Sequence, residues 1–154
     1  MQRGGAAVGL LEHLPLTESY QVKCLRLWAE GIEARGQIAE DFSYALGSKQ
    51  GEAAFHSLEE FISLLAQFAH RPIIRHGVGC RCLGADESVI THLIAAAAEG
   101  QRNDAKLFAA LVVRHLVVDR LCLRAEEIGM YFQILAQAQP QHTPKLIPRS
   151  ATLH

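Results

Sequence analysis

The sequence predicts an all-α, single-domain bundle of five to six helices, with a Cys-x-Cys loop joining two of them. Three observations carry this expectation. Apolar residues recur at steps of three, four and seven over most of the chain, cap-forming residues stand where those stripes start and stop, and no alternating apolar–polar run competes. A chain of 154 residues, 49% hydrophobic and 20% charged, is long enough to bury one proper core and is far from disordered composition.

Residues 1–16 read as an irregular segment ahead of a helical domain over 17–138, and 139–154 as an extended or disordered tail spaced by Pro140, Pro144 and Pro148. Thr17 is placed to cap a first helix. Val22, Leu25, Trp28, Ile32, Ala39, Phe42 and Leu46 then form a stripe that can run through one long helix from 18 to 46. Gly31 and Gly36 each weaken it by up to ~1 kcal/mol relative to Ala, and residues 47–51 stop it.

A second helix carries Leu58, Phe61, Ile62, Leu65 and Phe68. Ser57 and Glu60 fit a capping box, although the helix can begin as early as Glu52, and Pro72 ends it near His70. Asp86 is a natural N-cap for a third, with Val89, Leu93, Ile94 and Ala97 inward and Gly100 in the left-handed C-cap position. The small residues Ala95, Ala96, Ala97 and Ala98 invite a close neighbour. Asn103 or Asp104 caps a fourth helix bearing Leu107, Phe108, Leu111, Val112 and Leu116, apolar on more than one face as a central helix would be. The stripe breaks near 115–119, and a last helix over 120–137 turns Leu121, Ala125, Ile128, Phe132 and Leu135 inward.

A net charge of −1 with interleaved signs gives no electrostatic footprint for nucleic acid. The run from Leu107 to Leu123 is interrupted by charges at 114 and 119–120, which suits a buried helix better than a membrane span. The glycine-broken N-terminal run makes a poor signal peptide, so the expected compartment is cytoplasmic and the four cysteines are expected reduced. Cys24 and Cys122 stand singly on apolar helical stripes and read as small buried hydrophobes.

Chemistry concentrates in residues 70–87, where His70, His76, Cys80, Cys82 and Asp86 fall in one connector rich in glycine and arginine. Thiolate and imidazole are preferred zinc ligands, so His76, Cys80 and Cys82, closed by His70 or Asp86, make a candidate structural zinc site. Thiol redox chemistry competes for the same residues, because flanking arginines and a helix N-terminus favour thiolate. A Cys-x-Cys disulfide closes a small ring and is easily reduced. The third reading is packing alone. Phosphate loops, nucleophile elbows and His-Glu-x-x-His helices are absent. The sequence therefore points to a non-catalytic binding or regulatory module that docks on a protein partner or on itself, with zinc as the expected cofactor. The alternative is a thiol-based redox sensor or thiol-dependent enzyme.

Overall fold

The computed structural model of the chain describes residues 3–138. Six α-helices account for most of them: α1 Leu16–Glu30, α2 Ile32–Leu46, α3 Ser48–Phe68, α4 Ala85–Ala98, α5 Arg102–Val112 and α6 Val118–Gln137. Two short strands, β1 Ala7–Leu10 and β2 Cys82–Gly84, pair antiparallel, with Leu10 opposite Cys82 and Ala7 opposite Gly84. The mostly α single-domain expectation holds. The tail beyond 138 lies outside the described residues.

The long first helix is two. Gly31 takes φ 120° and ψ −170°, a conformation closed to L side chains, so the chain breaks there and restarts as α2. Gly36, by contrast, continues α2 without interruption. Only Gly47, at φ 85°, separates α2 from α3, and Ser48 already begins the next helix. Ser57 is therefore mid-helix rather than a cap, and its hydroxyl donates to Glu127 across the α3–α6 contact. Gly51 lets α3 cross close to α2, since a Cβ there would lie 2.5 Å from Ser43 Cα and 2.6 Å from Ser43 N.

α4 sits centrally, touching α1, α5 and α6 and burying Ile90, Leu93, Ile94, Ala96 and Ala97. It ends in a Schellman motif: Gly100 at φ 76° donates to Ala97 O (3.2 Å) and Gln101 N to Ala96 O (2.9 Å). The alanine row admits α6 closely, because a Cβ on Gly129 would meet Ala98 Cβ at 2.7 Å. The break at 115–119 is a single 3-10 turn, His115–Val117, and α6 buries all five residues assigned inward. Val113 bridges to Ala69, a lone β-type contact joining the ends of α5 and α3.

Several local expectations fail. Residues 3–14 are not irregular, since β1 and two 3-10 turns, Arg3–Gly5 and Leu11–His13, lie there. Its cause is nonlocal: β1 borrows its partner from beyond residue 80, which no local pattern reveals. The helix starts fall at Leu16, Ala85 and Arg102, so Thr17, Asp86, Asn103 and Asp104 all sit inside first turns, where they are not caps. α5 is peripheral: only Ala105, Ala109 and Val112 are buried, whereas Leu107, Leu111 and the following Leu116 are 67%, 65% and 82% exposed. Cys24 is fully buried as expected, but Cys122 is only half-buried.

Two glycines test this packing in opposite directions. Gly51→Ala should destabilise the protein by ~1–3 kcal/mol, because the added methyl meets backbone that cannot give way. Gly36→Ala, with open space around it and helical backbone, should stabilise by up to ~1 kcal/mol. Urea unfolding reads both, and equal effects of the same sign would contradict the α2–α3 approach.

Candidate functional site

The connector between α3 and α4 has little regular structure, so its polar backbone groups need partners from elsewhere. Arg26 of α1 supplies them. Its Nε donates to Glu87 Oε2 (2.7 Å) and its Nη2 to Glu87 Oε1 (2.9 Å), a two-pronged pairing of buried charges. The remaining guanidinium protons go to the carbonyls of Gly77 (3.2 Å), Cys80 (2.6 Å) and Cys82 (2.7 Å). A guanidinium has five N–H donors, and these contacts use them all. Glu87 Oε1 also accepts from Gly84 N (2.9 Å), the last residue of β2 and the one immediately before α4. Arg26 is 1% exposed and Glu87 0%, so neither charge has water to fall back on.

A second pair sits beside the first. Arg71 donates to both oxygens of Asp86 at 2.8 Å, and Asp86 Oδ2 also accepts from Ile74 N (2.9 Å). Burial alone would raise the Asp86 pKa; the Arg71 bonds and the Ile74 amide outweigh it and hold the carboxyl below its ordinary value. Its contribution to stability is present above the unfolded carboxyl pKa of about 3.9 and is lost as pH falls through the lower folded value. Gly4 lies directly on this pair, leaving no room for a Cβ between Asp86 and Arg71.

The N-terminal turn and the strand ladder then fix His76. Its Nε2 lies 2.8 Å from Gly5 O. A carbonyl only accepts, so Nε2 carries the proton and Nδ1 faces Cys80 Sγ, 3.5 Å away. The neutral pair is Cys80 S–H donating to Nδ1; transfer of that proton gives an imidazolium donating to a thiolate. Both partners move toward the charged form. The bond to Cys80, with the Gly5 carbonyl, raises the His76 pKa, and the bond from His76, aided by the backbone amide and thiol of Cys82, lowers that of Cys80. Cys80 is half-buried at the end of a tight turn closed by Cys80 N to Gly77 O (3.0 Å).

The five residues expected to bind zinc are not brought together. His76 and Cys80 meet, with Cys82 beside them. Asp86 is taken by Arg71 and Ile74, and His70 sits exposed with its Nε2 against Ala110 O (3.0 Å). Among the described residues no three His, Cys, Asp or Glu side chains group as a metal set. The donors do not fit a four-ligand shell. Gly77 and Gly79 of the connector neither take a positive φ nor are crowded.

Sequence reasoning missed Arg26, Glu87 and Gly5. The first two carried a signal: Arg26 stands four residues after Val22 on a buried stripe, and Glu87 continues the spacing of Ile90 and Ile94. A charge on a core-facing position needs a buried partner. Gly5 carried none, since its role belongs to a carbonyl.

Fold and site thus define a mostly α-helical protein whose connector, clamped by one buried and one partly exposed ion pair, presents a hydrogen-bonded cysteine–histidine pair. The chain matches no protein-family model, no curated protein and no solved structure.

The clamp makes a quantitative prediction. Arg26→Met or Glu87→Leu alone should cost ~3–5 kcal/mol, because each leaves an uncompensated buried partner. The double variant should cost clearly less than the sum, with a coupling of up to ~3 kcal/mol in a denaturant double-mutant cycle. Additive losses would contradict the pairing.

Proposed function

We propose that the protein is a thiol-based redox sensor in which Cys80 is the reacting thiol. The observation that carries this reading is His76, held by the Gly5 carbonyl so that its other ring nitrogen faces Cys80. A nucleophile, a base and a group that orients the base are the elements of an activated thiol, and Cys82 stands at the sulfur as a ready second thiol.

The chemistry with a hydroperoxide, ROOH, balances on these residues. The Cys80 thiolate attacks the outer peroxide oxygen; an S–O bond forms, the O–O bond breaks, and the leaving alkoxide takes the His76 proton to give ROH. Cys80 is left as a sulfenic acid. The Cys82 sulfur then attacks it: S–S forms, S–O breaks, and the hydroxyl leaves as water with the Cys82 proton. Two thiols are oxidised and one peroxide is reduced. Arg26 holds the carbonyls of both cysteines, so drawing the two sulfurs together strains the clamp, which links oxidation to a change of shape.

A second reading, self-association, rests on a different observation. Leu123, Met130 and Ile134 share the outward side of α6 and are 60%, 57% and 46% exposed. Large apolar side chains in such number exceed singly scattered surface residues. The occupant on this reading is a second copy of the chain. Sedimentation at several concentrations should then show a dimer that Met130→Glu abolishes; a monomer at every concentration would end it.

The thiol reading is tested by alkylation. A group with a depressed pKa keeps its thiolate at lower pH, so the Cys80 reaction with iodoacetamide should have its midpoint below the usual thiol value near 8.5. His76→Asn should move that profile upward while leaving the fold intact. Hydrogen peroxide should give a Cys80–Cys82 disulfide by peptide mapping, and a Cys82→Ser variant should stop at sulfenic acid. An ordinary thiol profile, unmoved by His76→Asn, would refute the proposal.

A further inference from the structure

The connector also borders a cleft of about 380 Å³ between α1, α3, α4 and the segment after α3, whose lining includes neither Cys80 nor Cys82. Leu25, Ile62, Leu65, Ile73 and Ile90 line its floor, and its rim carries His70, Arg71 and Arg75. Its volume falls toward the small end of ligand pockets, which span roughly 300–1,000 Å³.

The three cations on the rim are not equivalent. Arg71 is neutralised by both oxygens of Asp86, and the His70 ring is engaged by the Ala110 carbonyl. Arg75 is half-buried, yet its hydrogen bonding amounts to one long contact, Nη1 to Leu25 O at 3.5 Å, with no ion pair among the described residues. The acid that acts on it, Glu87, is already spent on Arg26 and the Gly84 amide. Arg35, stacked 4.8 Å from the Trp28 ring centroid, adds a like charge nearby. Burial pulls the Arg75 pKa down, the cost of a guanidinium that has lost water and gained no counterion. Arg26 and Arg71 each hold a carboxylate in two-pronged fashion. Arg75 holds none among the described residues.

We propose that the cleft binds a small amphipathic carboxylate, whose carboxylate pairs with Arg75 and whose hydrocarbon lies on the floor formed by Leu25, Ile62, Leu65, Ile73 and Ile90. A guanidinium matches a carboxylate in two-pronged geometry. One unpaired cation suits a monoanion, and apolar walls favour an alkyl body over a second phosphate-like charge. This site is independent of the thiol reading, and Cys80→Ser leaves it unchanged.

The test uses the full chain, with octanoate, octanol and inorganic phosphate as probes in titration calorimetry. Octanoate should bind with a Kd below about 1 mM and roughly tenfold or more tighter than octanol, the difference a charge-assisted contact supplies. Phosphate should bind far more weakly. Arg75→Gln should bring octanoate down to the affinity of octanol while leaving octanol unchanged, and Arg75→Lys should recover part of the loss. Amide shifts in nitrogen-15 spectra should cluster at the cleft, including Ala66 and Ala69. Equal binding of octanoate and octanol, phosphate as tight as octanoate, wild-type affinity in Arg75→Gln, or shifts confined to the outward faces of α5 and α6 would each overturn the proposal.

Discussion

The guanidinium of Arg26 is the point on which the connector turns. Buried charges are costly unless fully compensated, and here compensation is complete on both sides: every Arg26 donor has an acceptor, and Glu87 accepts from Arg26 and from Gly84. The consequence is directional. The carbonyls of residues 77, 80 and 82 face inward onto Arg26, which fixes the backbone at both cysteines. The pair also joins α1 to the start of α4, tying the connector to the helical core.

That arrangement bears on the chemistries the sequence left open. A zinc shell would need Asp86 or His70 to swing onto the cysteines, but Asp86 helps fold the connector through Arg71 and Ile74, and His70 belongs to the α3–α5 junction. What remains near Cys80 is one imidazole and one further thiol. This is a poor set for a closed metal site and a good one for moving a proton off sulfur. The role of β1 follows from the same geometry. Its pairing with β2 brings the Gly5 carbonyl to Nε2 of His76, so a strand that looks incidental selects the tautomer.

How much of this was legible depended on range. The inward residues of α6, the Gly100 cap, the close approach at the alanine row of α4 and the break near 115 were all visible, because each is written within a few residues. The helix starts were less so, since Leu16, Ala85 and Arg102 begin helices without a side-chain cap and the polar residues just after them mimic one. β1 was invisible, its partner lying more than seventy residues away. The connector was correctly singled out by composition, yet its organising residue was not in it. Cysteine and histidine draw attention by their chemistry, whereas Arg26 was hidden in an apolar stripe that the periodicity had already explained. Leu107, Leu111 and Leu116 mark the converse error: apolarity was taken as burial, but they face outward.

The central claim is that the buried pair sets the reactivity of a half-buried thiol, and it is tested most directly by the alkylation profile of Cys80 in Arg26→Lys. Lysine keeps the positive charge beside Glu87, but its three donors cannot hold a carboxylate in two-pronged fashion together with three carbonyls. With the helical circular dichroism signal retained, the account predicts that the Cys80 profile moves up toward that of an unperturbed thiol, as the turn at 77–80 loosens and His76 loses its alignment. A folded Arg26→Lys protein whose Cys80 reacts with the wild-type pH dependence would contradict it.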